Sequence, residues 1–177
     1  MMTADNPRSG RAAVALPWLA TLARLALGTV WVVAGAHKID DLRASVRAVR
    51  AYELLPEPAA QIVGAGLPVA ELLLGVLLIV GLGVRAGAVL SVLLLIAFVI
   101  GIAAAWARGL RIDCGCFGSG GELGPGQRPS YGPELARDAG LLALAGLLAR
   151  WPRTRFAVDG WLFDTDSSGT DSSETRA

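Results

Sequence analysis

Residues 59–106 read AAQIVGAGLPVAELLLGVLLIVGLGVRAGAVLSVLLLIAFVIGIAAAW, two apolar blocks (59–80 and 86–106) parted by Gly81-Leu82-Gly83. Each block is about 20 residues long, the length a helix needs to cross roughly 30 Å of hydrocarbon. Glu71 is the single charge inside either block. A helix facing water on one side carries a polar stripe, and neither block has one. These two segments therefore read as membrane spans, joined by a turn too short for anything but an antiparallel pair.

The rest of the 177-residue chain supports the same class. More than half of it (54%) is apolar, 18% is charged, and its mean hydropathy is +0.54, whereas a soluble domain of this size is about 25% charged. The net charge of +1 offers no electrostatic footprint for nucleic acid. Of the 16 basic residues Lys38 is the one lysine, a bias that fits a GC-rich bacterial genome.

Upstream, a polar start (1–16) leads into an apolar run from Pro17 to Ala36, read as the first span. Ala34-Gly35-Ala36 resembles a signal-peptide cleavage site, but the run is longer than a signal-peptide core and contains Arg24, so a retained helix is expected. In the following HKIDDLRASVRAVRAYELLPEP (37–58), Leu42, Val46 and Val49 form one helical stripe beside Arg43, Arg47 and Arg50. That pattern fits a short amphipathic helix lying among lipid headgroups, and equally a solvated helix. Downstream, residues 107–134 carry DCGCFGSGGELGPGQRPSYGP, whose glycines and prolines predict a loop. A last and weakest span follows at 133–151, with Arg137 and Asp138 in its first turns. Residues 152–177 are rich in Ser, Thr and Asp and are expected to be disordered. The expected architecture is an all-α integral membrane protein: a four-helix transmembrane bundle with a short amphipathic helix between its first two spans.

Four spans bring the 37–58 connection and the cysteine loop to one face of the membrane and both termini to the other. The positive-inside rule does not choose between the faces. Arg8, Arg11, Arg85, Arg150, Arg153 and Arg155 stand on one; Lys38, Arg43, Arg47, Arg50, Arg108, Arg111 and Arg128 stand on the other. Arg24 and Glu71 are the charges well inside spans. Counted inward from the terminal face they lie about 10 Å and about 13 Å deep. A lone charge at such depth is costly, so an Arg24–Glu71 ion pair across the first two spans is expected.

Cys114-Gly115-Cys116 holds the chain's two cysteines. So close a pair makes a small, strained disulfide ring, and strained disulfides are the readily exchanged ones. Gly115 supplies the backbone freedom such a ring needs. Thiol exchange with a partner's disulfide is the sharper reading. A purely structural disulfide is one alternative; another is a zinc site formed by Asp113, Cys114, Cys116 and His37, although zinc cysteines are usually spaced more widely. A reactive thiolate wants a positive neighbour; Arg111 or Arg137 would serve, Asp113 opposes it, and His37 and Lys38 lie at the same surface.

The run RLALGTVWVVAGAHKI, then AYELLP, LPVAELLLGVLLIVG and RG..IDCGCFG, with a closing helix that begins LARD, resembles the MauE/DoxX group of membrane proteins, and its MauE branch in particular. The resemblance extends from about Arg24 to Leu148, and DCGCFG is its most specific element. It implies a four-helix bundle in the cell membrane that helps mature or export a disulfide-rich extracytoplasmic protein, as in the methylamine utilisation for which the family is named. On that account the cysteine loop faces outward, the termini are cytoplasmic, and the partner is a thioredoxin-like or secreted disulfide-containing protein. Four-helix membrane thiol oxidases pass electrons to a quinone and use CxxC pairs. This chain has CxC and no second pair, which argues against a quinone-linked mechanism and leaves no cofactor assigned. Two other functions fit less of the sequence: a non-enzymatic membrane scaffold with a structural cysteine pair, and small-substrate transport resting on Arg24 and Glu71.

Overall fold

A computed structural model describes residues 7–115, 120–124 and 126–152, with side chains from Pro17 onward. Cys116 and the tail from 153 lie outside the described residues. The elements in chain order are α1 (Pro7–Ile39), α2 (Leu42–Ala51), α3 (Glu57–Val80), α4 (Val84–Ala107), β1 (Ile112–Asp113), β2 (Gly121–Glu122) and α5 (Tyr131–Arg150).

The termini of these helices follow local chemistry. The Asp41 side chain accepts a hydrogen bond from the Ala44 backbone N–H at 2.9 Å, capping α2; a carboxylate there satisfies one of the orphan donors of the first turn. Prolines at 56 and 58 open α3, where a missing N–H costs nothing. Gly81 ends it in the left-handed region (φ 81°), and Gly83 (φ 62°) starts α4. That pair reverses the chain within three residues. Inside α1, Pro17 does not end the helix, and its carbonyl accepts from the Thr21 hydroxyl at 2.7 Å. The helix thus reaches ten residues upstream of the expected span, into what reads as a polar start.

Among the described residues, three helices are long and apolar enough to cross a membrane: residues 17–39 of α1, all of α3 and all of α4. Their outer faces match that solvent. Ile62 is 74% exposed, and Leu22, Leu73 and Ile100 each 61%, a surface that needs lipid rather than water against it. α5 is helical as expected, but Glu134, Arg137, Asp138 and Arg150 keep it out of that apolar set. α2 packs against α3: a Cβ on Gly64 would stand 2.5 Å from Val46 Cα.

Small residues set the helix register. A Cβ on Gly75 of α3 would stand 2.7 Å from the Gly28 carbonyl oxygen of α1, and one on Gly35 would stand 2.7 Å from the Pro68 carbonyl oxygen. Backbones in that proximity are what glycine permits between membrane helices. The core packed around this seam contains Leu27, Trp31, Leu74, Leu78, Ala88, Leu95 and Leu148. Within it the Trp31 indole N–H donates to the Ser91 hydroxyl at 2.9 Å.

The same register corrects the expected Arg24–Glu71 pair. Gly35 lies opposite Pro68 and Leu72, so Glu71 is level with the last turns of α1. Both Glu71 carboxylate oxygens accept from Lys38 Nζ, at 2.7 and 2.9 Å. Arg24 stands eleven residues before Gly35, about 16 Å lower along the axis. It is itself buried, 2% exposed, in a stripe with Ala20, Leu27 and Trp31. The depth count failed because it took Pro17 and Val80 as one surface, whereas Ile79 lies opposite Gly28.

Candidate functional site

The loop after α4 is shaped before it reaches the cysteine. Gly109 (φ 67°) turns the chain out of the helix. The Tyr131 hydroxyl of α5 then holds it from both sides, donating to the Leu110 carbonyl at 2.5 Å and accepting from the Ile112 N–H at 3.3 Å. Buried Ile112, Ile102, Ala105 and Tyr131 form a small second core beneath this crossing. β1 pairs antiparallel with β2, Ile112 opposite Glu122 and Asp113 opposite Gly121. The glycine-rich composition predicted loop alone and missed this hairpin, whose strands are two residues each.

Cys114 follows β1 directly. Its carbonyl accepts from the Tyr52 hydroxyl at 3.2 Å, and the next N–H, of Gly115, donates to Asp113 Oδ1 at 3.0 Å. Gly115 has φ 70°, where a side chain is strained, and a Cβ there would stand 3.0 Å from Gly120 Cα and 3.4 Å from Ala48 Cβ. The disulfide ring for which glycine is expected involves Cys116, outside the described residues; here it is the left-handed backbone and α2 lying on the loop that favour glycine.

Two α5 side chains reach the sulfur. Arg137 Nη2 is 3.9 Å from Cys114 Sγ, and a Glu134 carboxylate oxygen lies within 4.8 Å of it. Arg137 is braced by its neighbour: its Nε donates to Asp138 Oδ1 at 2.9 Å, and Asp138 is 1% exposed. Of the two arginines proposed from the sequence, Arg137 is therefore the one at the thiol. Arg111 instead donates to the Gln127 carbonyl at 2.6 Å. Glu134 was not singled out in the sequence; its signal is its position, one helical turn before Arg137 on the same face.

Donor atoms of Asp113, Cys114 and Glu134 lie within 4.8 Å of one another, so in type and proximity they are capable of holding a cation. The guanidinium against the sulfur works against it, since it puts positive charge where the ion would sit. His37, the remaining member of the expected zinc set, is not part of this cluster. It lines a cavity of about 240 Å³ together with Lys38, Ser45, Tyr52, Phe98 and Cys114. Cys114 thus borders that cavity, as does Lys38, whose ammonium is held on Glu71. A pocket of about 20 Å³ lies deeper, between Glu71, Arg137, Asp138 and the Trp31 and Phe98 rings.

Residues 16–150 match the family described as methylamine utilisation protein MauE. The methylamine utilization protein MauE of Paracoccus denitrificans is 34% identical over 98 residues, covering 55% of this chain and 53% of its own length. The chain thus spans about half the length of that curated relative. No solved structure matches it. With the family match running from the start of the first apolar helix to the end of α5, and three helices suited to a bilayer, the chain belongs to the MauE family of membrane proteins.

Proposed function

We propose that this protein is a thiol–disulfide factor of the bacterial cell membrane, with Cys114 and Cys116 as its redox pair. It would serve the maturation of disulfide-containing extracytoplasmic proteins, in the methylamine-utilisation setting that its family's description carries. The observation behind this reading is the Cys114 sulfur 3.9 Å from a guanidinium that a buried carboxylate braces. A fixed positive neighbour stabilises the thiolate, and the thiolate is the form that attacks disulfides.

The chemistry requires a particular topology. α5 makes the fourth crossing, its apolar stretch after Asp138 inserting beside α4, against which it packs. Both termini are then cytoplasmic, and the cysteine loop faces the oxidising side where client disulfides form. α2 lies at that outer surface with Arg43, Arg47 and Arg50 toward the headgroups. The partner is a thioredoxin-like or secreted protein whose disulfide exchanges with the pair.

Thiol trapping in whole cells tests the proposal, with wild type, Cys114→Ser and Cys116→Ser compared. A membrane-impermeant alkylating reagent is expected to label the loop from outside after mild reduction, and one single mutant is expected to accumulate a mixed disulfide with another protein. Cysteines that label only in opened cells, or mutants that form no adduct and keep full function, would reject the redox role in favour of a scaffold.

A further inference from the structure

The proton that must leave Cys114 has an acceptor in the structure. A Glu134 carboxylate oxygen lies within 4.8 Å of Cys114 Sγ, in the cluster that also contains Asp113. Its second oxygen, Oε2, is buried without a hydrogen-bond partner among the described residues. A buried carboxylate oxygen left unsatisfied favours holding a proton. Asp113, the other nearby carboxylate, is occupied differently, with its Oδ1 accepting the Gly115 N–H.

The remaining charges around the sulfur do not compete for this role. On α5, Arg137 faces Sγ but carries no removable proton at working pH, and Asp138 is turned onto Arg137. From the end of α1, Lys38 is engaged with Glu71; His37 and Asp41 line the shared cavity and are not members of the cluster around the sulfur. From α2, the Tyr52 hydroxyl is spent on the Cys114 carbonyl. At the end of α4, Arg108 donates to the Tyr52 carbonyl, and Arg111 donates to the Gln127 carbonyl.

We infer that Glu134 is the general base and acid of the thiol exchange, which makes it a catalytic residue beside Cys114. This deepens the redox reading and rests on it. In the step, the Cys114 S–H proton passes to the Glu134 carboxylate as the thiolate forms beside Arg137. The thiolate attacks one sulfur of the partner's disulfide, so that a Cys114–partner S–S bond forms and the partner's own S–S bond breaks. The partner's second sulfur leaves with the electron pair and takes the proton back from Glu134. The partner disulfide is the oxidant, and nothing else is consumed.

A thiol and a carboxyl that share a proton titrate as a coupled pair with two macroscopic steps. The experiment reads Cys114 alone, in the Cys116→Ser full-length protein in detergent, as the pH profile of its alkylation by iodoacetamide. With Glu134 in place the profile should show two inflections. Glu134→Gln should leave one, moved down by about one pH unit because a negative neighbour of the thiolate is gone. Glu134→Asp, which keeps a carboxylate, should retain two. A single inflection shared by the parent and Glu134→Gln would overturn the assignment. So would a parent profile that moves on adding EDTA, since the cluster would then be holding a metal. The assay needs no protein partner, so trapping that fails beside an intact two-step profile would reject the redox role in cells and leave the proton-sharing pair standing.

Discussion

Two ion pairs with a buried carboxylate stand out among the described residues, and they differ in what each leaves unsatisfied. Lys38–Glu71 joins α1 to α3, and both carboxylate oxygens take hydrogen bonds from the one ammonium, with Glu71 fully buried. Arg137–Asp138 joins neighbours on one helix. Its guanidinium is shared with the Cys114 sulfur, and Asp138 Oδ2 has no hydrogen-bond partner among the described residues. The first pair is closed on itself and clamps two helices. The second is not closed on itself: its guanidinium also reaches the thiol. A closed buried pair serves architecture; an open one supplies a field to a neighbour.

The largest effect that would sharpen this contrast is on the closed pair. Lys38→Met leaves Glu71 buried without its partner and should destabilise the protein by about 3–5 kcal/mol, read as a fall in thermal stability in detergent. Lys38→Met combined with Glu71→Leu should recover most of that loss. If the double variant is no better than the single one, the clamp is not a clamp.

The seam that aligns the first pair should respond next. Gly75→Val places side-chain atoms against the Gly28 carbonyl oxygen and Val32, and overpacking of that kind costs about 1–3 kcal/mol. An unchanged melting temperature would mean that the α1–α3 register is not set by these glycines.

The open pair should move chemistry more than stability. Changing both members, Arg137→Gln with Asp138→Asn, removes the charge beside Cys114 without stranding a buried carboxylate. The thiol pKa should rise by about one unit, so alkylation near pH 7 slows several-fold while the melting temperature shifts little. Equal rates in parent and variant would detach Arg137 from the thiol's reactivity.

The smallest expected effect is at the surface. Asp41 is held below its ordinary value of 3.8, chiefly by the Ala44 N–H that its carboxylate accepts. A depressed carboxylate stabilises the fold above its unfolded value and loses that contribution as the pH falls through the lower folded one. Protection of the first-turn amides of α2, taken relative to their intrinsic exchange rates, should therefore fall only in that acid window. In Asp41→Ala that protection should be low throughout, with no change across the window.

Much of the scaffold was legible because it depends on short-range facts. Residues 59–80 and 86–106 announce themselves by length and apolarity, and Gly81 and Gly83 mark the reversal between them. The extent of α1 was less legible: polar residues upstream of Pro17 resemble a solvated start, yet they continue one helix. Arg137 was named beside Cys114 from charge alone, and its Nη2 stands 3.9 Å from the Cys114 sulfur. Glu134 was missed because a carboxylate in the first turn of a helix ordinarily reads as a favourable charge on the helix dipole.

By itself, then, the order of residues determined that this is a helical membrane protein with one thiol-bearing loop at the end of its third apolar helix. Hydrocarbon thickness and the cost of bare backbone in lipid leave a 20-residue apolar block little other choice. Only the tertiary structure decided which charge meets which. Glu71 belongs to Lys38 and not to Arg24 because the close contacts of Gly28, Gly35 and Gly75 set the helix register, which leaves Arg24 about three helical turns away. Cys114 meets Glu134 and Arg137, 20 and 23 residues further along, because Tyr131 pins the loop to the head of α5. Such contacts are products of packing geometry, which spacing along a chain does not encode.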